Sequence, residues 1–177
     1  MSYDKRKTYS AGILPYTIRN KQIYYLLGRD WRDEGWSDFG GKSEENDMND
    51  TLKTAMREFY EETMGSVLCK HELQYDAMKN LAYIRSVTLN GSPYFMYFLF
   101  IKDSNYPDCF HKIHDFLDKT HAPDKYLEKC EVCWVSSSDM KDGKVKLRNI
   151  YRRTISRCTE ALHGIEKEAL REYALKR

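Results

Sequence analysis

The stretch at residues 40–65, GGKSEENDMNDTLKTAMREFYEETMG, combines a glycine pair, a predicted amphipathic helix and a closing glycine. On a helical wheel, residues 51–64 separate into two faces. Glu58, Glu61 and Glu62 lie together at positions i, i+3 and i+4 of one face. The other face is apolar and is typical of a helix packed on a core; it comprises Leu52, Ala55, Met56, Phe59, Tyr60 and Thr63.

The three neighbouring glutamates have two interpretations. Like charges at these spacings destabilise a helix by roughly 0.2–0.5 kcal/mol per pair. They form either a solvated acidic face or a set of oxygen ligands for a hard cation such as Mg²⁺ or Mn²⁺. Helix spacing alone favours neither interpretation.

The residues around the glutamates resemble the Nudix box, Gly-x5-Glu-x7-Arg-Glu-U-x-Glu-Glu-x-Gly-U, in which U is a bulky aliphatic residue. Arg57, Glu58, Glu61 and Glu62 match this pattern in type and spacing, and Phe59 occupies the first U position. The chain is therefore identified by resemblance as a member of the Nudix hydrolase family.

The chain departs from the Nudix pattern at both rims of the box. Counting forward from Gly41 places the first glutamate of the motif at Asp47, whereas counting back from Arg57 places it at Asn49. The loop is thus about two residues longer than the pattern, and that glutamate has no clear counterpart. The closing glycine is also shifted, because Met64 stands at its position and Gly65 follows one residue late.

The resemblance implies a fold, a reaction and a set of site residues. The expected fold is α/β or α+β, a mixed sheet sandwiched between helices. The expected reaction is Mg²⁺- or Mn²⁺-dependent cleavage of a diphosphate linkage in a nucleoside diphosphate linked to another moiety. The implied metal ligands are Glu58, Glu61, Glu62 and the Gly41 carbonyl; the implied catalytic residues are Glu61, Glu128 and Arg57; the candidate substrate-binding residues are Trp36 and Lys42.

The resemblance leaves two candidates for the general base. In RNA-decapping Nudix enzymes a glutamate six residues before a comparable tryptophan serves as the base, and that spacing falls on Glu128, before Trp134. A glutamate of the box helix is the other candidate. Small nucleotides, dinucleotides and the 5′ cap of RNA all contain the required linkage. A catalytically silent Nudix-fold module that binds a nucleotide or RNA is the alternative to an enzyme.

Length and composition restrict the class of protein. The 177 residues suit one domain spanning 1–177, with 32% charged and 41% hydrophobic residues. Apolar runs stay well short of the roughly 18 residues of a membrane span, so no membrane partner is expected. The N-terminus has basic residues without the apolar segment of a secretory signal, and five scattered cysteines favour a reducing compartment. We expect a cytoplasmic location, with the nucleus left open.

The C-terminal segment is the basic part of the chain. Residues 141–177 contain 11 Lys and Arg against 5 Asp and Glu, although the whole chain has a net charge of only +2. From about residue 147 to 176 the sequence predicts one long helix. Its apolar positions form one seam: Tyr151, Ile155, Cys158, Leu162, Ile165, Ala169 and Tyr173. The opposite side contains Arg153, Arg157, Lys167 and Arg171, which indicates either a solvated basic face or a surface for an anionic partner such as RNA.

Strand-like segments flank the box. Alternating or apolar runs predict strands at residues 9–18, 22–27, 36–39, 81–89, 94–101 and 131–135. One or two short helices are expected around residues 109–119. Asn49 and Asp50 are both suitable N-caps for the box helix.

Overall fold

The computed structural model describes residues 8–176. Within them lie seven strands: β1 (Ser10–Arg19), β2 (Gln22–Asp30), β3 (Trp36–Ser37), β4 (Phe39–Lys42), β5 (Tyr83–Val87), β6 (Pro93–Phe100) and β7 (Lys129–Ser136). The helices are α1 (Thr51–Thr63), α2 (Tyr75–Met78), α3 (Tyr106–Lys119), α4 (Ser137–Lys141), α5 (Asn149–Arg157) and α6 (Thr159–Leu175). Each strand predicted from the sequence is present, with shifted ends, whereas the sequence predicted neither α2 nor α4.

The strands form one mixed sheet around β1. The order is β3-β2-β1-β6-β5, with β4 also paired to β1 and β7 to β2. β1 runs parallel to β6 and antiparallel to both β2 and β4. Its first half therefore lies between β4 and β6, and Ala11 is opposite Gly41 on one side and Phe95 on the other. This register places the glycine pair beside the middle of the sheet.

Both faces of the sheet are covered, as expected for the predicted fold class. Alternate residues of a strand point to opposite faces, and in β1 Ile13 belongs to one core while Leu14 belongs to the other. The first core contains residues of α1 and α3, such as Phe59 and Phe110. The second contains residues of α4, α5 and α6. The mixed sheet between helices is confirmed.

Helix α1 is bounded by local signals at both ends. The Asp50 carboxylate accepts hydrogen bonds from the backbone N–H groups of Leu52 and Lys53, so Asp50 is the N-cap. Met64 ends the helix in the left-handed conformation with φ 54°, and Gly65 follows with φ 67°. With both ends fixed, the apolar face of α1 packs on the sheet, and the glutamates lie along the side of the helix next to β4 and the start of β7.

The predicted long C-terminal helix is wrong in its continuity. Two helices, α5 and α6, meet at Cys158, whose φ of −111° and ψ of 22° leave the helical region. No proline or glycine stands at the break, and the apolar positions keep their spacing across it. The sequence pattern therefore gave no sign that the helix is interrupted. The Thr159 hydroxyl, which donates to the Ile155 carbonyl, offers that backbone group an alternative to the helical ladder. The seam itself is confirmed, since all seven of its residues contact the second core.

None of the helices in residues 8–176 is long and apolar enough to cross a bilayer.

Candidate functional site

Glu58 lies directly on the backbone of Gly41. A side chain at Gly41 would place its Cβ 2.5 Å from the Glu58 carboxylate, so any larger residue there would force Glu58 to move away from this backbone. The contact arises because β4 pairs with β1 in the sheet while α1 packs across both. Burial is the main reason that the Glu58 pKa rises to about 7, against the opposing effect of Arg57.

Arg57 holds the loop and two of the glutamates together. Its Nη1 donates to Glu58 Oε1 at 2.9 Å and to Glu61 Oε2 at 3.3 Å. Its Nη2 donates to the Lys42 carbonyl at 2.8 Å. Arg57, which the resemblance implied to be catalytic, therefore has the contacts of a residue that orients Glu58 and Glu61.

Asp47 is one of the two positions at which counting along the sequence placed the first glutamate of the Nudix pattern. Its carboxylate accepts two hydrogen bonds from Arg57, at 3.1 Å from Nε and 3.0 Å from Nη2. Asp47 is only 3% exposed; burial raises its pKa, but Arg57, the Glu44 backbone N–H and the Thr54 hydroxyl together lower it overall. Met48 and Asn49, which follow Asp47, both adopt positive φ. Of the two positions that counting along the sequence offered, Asp47 is the one that binds Arg57.

Glu62 points into the protein and faces a buried lysine. Lys129 is 1% exposed, and its Nζ lies 3.3 Å from Glu62 Oε1 while donating to Ser37 Oγ at 3.1 Å. Glu62 Oε2 is also buried, and no residue of the described part of the chain donates a hydrogen bond to it. Burial raises the Glu62 pKa to about 8, although Lys129 opposes this. Nothing in the sequence singled out Lys129, which begins β7 and resembles any strand-edge lysine.

Glu61 has a cation of its own on the solvent side. Lys125 Nζ lies 2.6 Å from Glu61 Oε1. Lys125 belongs to a short 3-10 turn at Asp124–Tyr126 that precedes β7. The turn therefore lies over the glutamate face of α1.

Glu128, the candidate base, is exposed and directly precedes β7, as its position in the sequence suggested. Its carboxylate is near enough to Glu58 to contribute to the raised pKa of that residue. Glu131 is also exposed, but it lies inside β7 and forms an ion pair with Arg29 at 2.5 Å. The structure thus places Glu128, rather than Glu131, beside the box helix.

A cleft of about 470 Å³ begins at the glycine pair. Its lining comes from the start of β1, from β3 and β4, from the β5–β6 turn and from α5, and includes Gly41, Lys42, Asn90 and Arg148. Lys42 is therefore at the cleft, as predicted for a substrate-binding residue. Trp36 is not part of the lining; it packs against the second core, with the Arg29 guanidinium 5.8 Å from its ring.

Asp38, which the sequence did not single out, lies at the floor of this cleft. Its carboxylate accepts a hydrogen bond from the Tyr94 hydroxyl. Burial raises the Asp38 pKa to about 6, while Tyr94 and Lys129 act in the opposite direction. Lys129 thus influences carboxylates on both sides of it, Asp38 and Glu62.

The carboxylates of Glu58, Glu61 and Glu62 are suitable ligands for a hard cation, but each of them already forms an ion pair with an arginine or a lysine of the protein. Oxygen ligands are those that Mg²⁺ and Mn²⁺ prefer, and the unpartnered Glu62 oxygen has capacity for another cation. At the same time Glu58 bonds Arg57, Glu61 bonds Arg57 and Lys125, and Glu62 bonds Lys129. Within residues 8–176, no three His, Cys, Asp or Glu side chains already converge as a metal site. The chemistry fits a metal, provided that local ion pairs rearrange.

Comparison with curated sequences gives a short match. No protein-family model matches the chain. It is 48% identical over 59 residues to the uncharacterized protein L534 of Acanthamoeba polyphaga mimivirus. This match spans 30% of the chain and only 19% of the length of the viral protein, so it says little about the activity of either.

Comparison with solved structures covers most of the chain. The NUDIX domain of Shewanella oneidensis NrtR, complexed with ADP ribose, is similar with a TM-score of 0.54 at 15% identity, over 89% of this chain and 90% of that one. An Ap4A hydrolase of C. elegans gives 0.53 at 14% identity, over 88% and 98%. The C-terminal domain of mouse MUTYH, in complex with human PCNA, gives 0.52 at 12% identity, over 90% and 91%.

These identities are too low to transfer an activity, but the shared architecture is extensive. The box that the sequence predicts and the sheet that positions it occur together in the structure. The chain therefore has the Nudix fold.

Proposed function

We propose that this protein is a divalent-metal-dependent hydrolase that cleaves a diphosphate linkage in a nucleoside diphosphate joined to another moiety. The observation that carries the proposal is the contact between the Glu58 carboxylate and the Gly41 backbone, with Glu61 and Glu62 on the same helix. Burying a carboxylate is costly unless an opposite charge compensates it. Arg57 compensates Glu58 only in part, since the Glu58 pKa is still raised to about 7. A bound cation would supply the rest of the compensation.

Each residue of the site has a task in this proposal. Glu58, Glu61, Glu62 and the Gly41 carbonyl would hold Mg²⁺ or Mn²⁺. The bound ion would offset the phosphate charge and lower the pKa of a water molecule. Arg57 keeps Glu58 and Glu61 oriented through its bonds to both. Lys42 and the cleft beside it would contact the substrate.

A substrate screen tests the proposal directly. The panel contains ADP-ribose, diadenosine tetraphosphate, a free cap analogue and capped RNA, each with Mg²⁺, with Mn²⁺ and with EDTA. We expect metal-dependent release of a nucleoside phosphate from at least one compound. Absence of product from the whole panel at high enzyme concentration would contradict the proposal. Comparing capped RNA with the free cap analogue separates an RNA substrate from a small nucleotide.

A catalytically silent binding module is the second candidate, and one observation favours it. The three glutamates are engaged by Arg57 and by a lysine each for Glu61 and Glu62, so the site is electrostatically balanced without a metal. A silent module would bind a nucleotide of the panel, as seen by calorimetry, and leave it intact for hours with Mg²⁺ present. Turnover of the bound compound would exclude it.

The position of Glu128 predicts a base that acts without holding the metal. A general base contributes about 10²–10⁴-fold to the rate. We expect Glu128→Gln to lose activity in that range while its Mg²⁺ dependence stays normal. Glu131→Gln is the matched control, because Glu131 is also exposed but pairs with Arg29, and it should remain nearly normal. The reverse pattern would move the role to Glu131, and full activity in both would assign it to the box helix.

An RNA partner is part of the proposal because of the basic face of α5. Arg153 and Arg157 are exposed, and neither has an ion-pair partner among the described residues. Each phosphate contact contributes close to one unit to the salt dependence of binding. Replacing both arginines by glutamine should weaken binding of long capped RNA and reduce its salt slope by about two, without affecting hydrolysis of a dinucleotide.

The control for this RNA prediction is the Lys112→Gln/Lys119→Gln variant, which removes two exposed charges from α3. Equal losses in both double variants, or equal losses on RNA and dinucleotide, would argue against an RNA surface on α5. The five cysteines, all free in the structure, are in keeping with a proposed reducing compartment such as the cytoplasm.

A further inference from the structure

The segment from Asp124 to Lys129 supplies a lysine to each of two adjacent glutamates of the box helix. Lys125 pairs with Glu61 at 2.6 Å and Lys129 with Glu62 at 3.3 Å. The two lysines differ sharply in exposure, since the Lys125 side chain is 51% exposed and the Lys129 side chain 1%. Water can therefore replace Glu61 as the partner of Lys125, whereas Lys129 is buried away from solvent beside Glu62.

Both carboxylate oxygens of Glu61 are in use in the metal-free protein. Oε1 binds Lys125, and Oε2 accepts from Arg57 at 3.3 Å. A divalent ion bound to Glu61 would repel both of these neighbouring cations, so the one held by fewer other contacts is expected to withdraw. Which of the two leaves Glu61 depends on how firmly each is held by its other contacts.

Arg57 is the cation that stays. Its side chain is 19% exposed and is bound in addition to Asp47, Glu58 and the Lys42 carbonyl. Withdrawing it would break all of these bonds and leave Asp47, which is 3% exposed, without its strongest partner. Lys125 has Glu61 as its only ion-pair partner among residues 8–176, and solvent can take its place.

Lys125 cannot move far when it withdraws. Its turn is closed by the bonds from Tyr126 N to the Pro123 carbonyl and from Leu127 N to the Asp124 carbonyl, at 3.0 and 2.9 Å. The next residues are anchored too, by the bond from Trp31 N to the Glu128 carbonyl and by buried Lys129. A displaced ammonium thus stays within one side-chain length of Glu61, where a metal-bound phosphate would present its negative oxygens.

We propose that Lys125 is a metal-displaced phosphate ligand: it caps Glu61 in the empty site and transfers to the diphosphate of the substrate when a divalent ion occupies Glu61. This inference rests on the proposed function, because it assumes that Glu61 is a metal ligand. It assigns Lys125 two opposite effects. The lysine competes with the metal when the site is empty and supports anion binding when the metal is present.

Two binding measurements without turnover test the assignment. Free Mn²⁺ is quantified by electron paramagnetic resonance to give the metal affinity of the protein. Methylenediphosphonate, which is not hydrolysed, is then titrated into protein saturated with Mg²⁺. Lys125→Met should bind Mn²⁺ about two- to fivefold more tightly, the range expected for losing an exposed ion pair. It should bind the diphosphonate about tenfold more weakly, as expected for a lost hydrogen bond to a charged group.

The opposite signs of the two effects distinguish this role from a structural one. A lysine that merely stabilises the turn would lower both affinities or neither. Lys125→Arg should restore diphosphonate binding. Lys119→Met is the control, since it removes an exposed lysine from the end of α3 and should change neither affinity. Unchanged or jointly weakened affinities in Lys125→Met would overturn the inference.

The same data separate this inference from the proposed function. If wild-type protein binds Mn²⁺ and the diphosphonate but cleaves no compound of the panel, the hydrolase proposal fails while the Lys125 assignment is still decided by the two affinities. If wild-type protein binds no Mn²⁺, both fail. If it turns over substrate and Lys125→Met behaves like the wild type in both titrations, only the Lys125 assignment fails.

Discussion

Glu61→Gln is expected to lower turnover a hundredfold or more. The substitution keeps the size of the side chain and removes one charge from the proposed metal site. A metal ion stabilises the transition state by several kcal/mol, and each 1.36 kcal/mol corresponds to a tenfold change in rate. Initial rates at limiting Mg²⁺, on whichever compound of the panel is cleaved, provide the measurement.

The fold should tolerate the same substitution. The cation that the substitution leaves without a partner is Lys125, whose side chain is 51% exposed although that of Glu61 is only 13% exposed; pairs with a solvated partner contribute roughly 0–1 kcal/mol. Melting in metal-free buffer should therefore change little. Glu160→Gln, on the exposed face of α6, is the control for a generic loss of charge. A Glu61→Gln variant with a near wild-type rate at limiting Mg²⁺ would remove Glu61 from the metal site.

Glu62→Gln is expected to destabilise the metal-free protein by about 3–5 kcal/mol at pH 9, where Glu62, whose pKa burial raises to about 8, is ionised. Breaking a buried pair leaves the remaining ion without compensation, and losses of this size are typical. Here the ion left behind is Lys129, 1% exposed, with Ser37 as a neutral hydrogen-bond partner and Asp38 as a neighbouring carboxylate. Denaturant unfolding in EDTA, with the wild-type protein alongside, gives the free energy of unfolding.

A double variant shows whether the loss comes from the uncompensated charge. Glu62→Gln combined with Lys129→Met removes both charges, and replacing a buried pair by neutral groups of similar size is often close to neutral. The double variant should therefore be more stable than Glu62→Gln alone. A single variant within about 1 kcal/mol of the wild type, or a double variant that is worse than the single one, would contradict the buried pair.

The two predictions differ although Glu61 and Glu62 are adjacent and chemically identical. From the sequence, neutralising either one should leave stability unchanged or slightly raised, because repulsion within the acidic face would be relieved. In the structure that repulsion is already compensated by Arg57, Lys125 and Lys129. What matters for stability is then the exposure of each partner lysine, and that exposure differs between the two.

The sequence by itself determined the parts of this protein that depend on neighbouring residues. The 3.6-residue period placed α1, Asp50 caps it through bonds two and three residues away, and the spacing of Arg57 from the glutamates defined the box. The strands followed from short apolar runs, and the seam of the C-terminal segment was correct even where the helix breaks at Cys158. Such features form over a few residues, so a local pattern contains enough information to predict them.

Only the tertiary structure decided which side chains meet. Lys125 reaches Glu61 across 64 positions, and Lys129 meets Glu62 because the pairing of β7 with β2 brings the start of β7 beneath α1. Asp47, rather than Asn49, binds Arg57, although counting along the sequence offered both positions. Lys42 lines the cleft, whereas Trp36 turns to the second core. These outcomes depend on strand register and burial across the whole sheet, which no local spacing encodes.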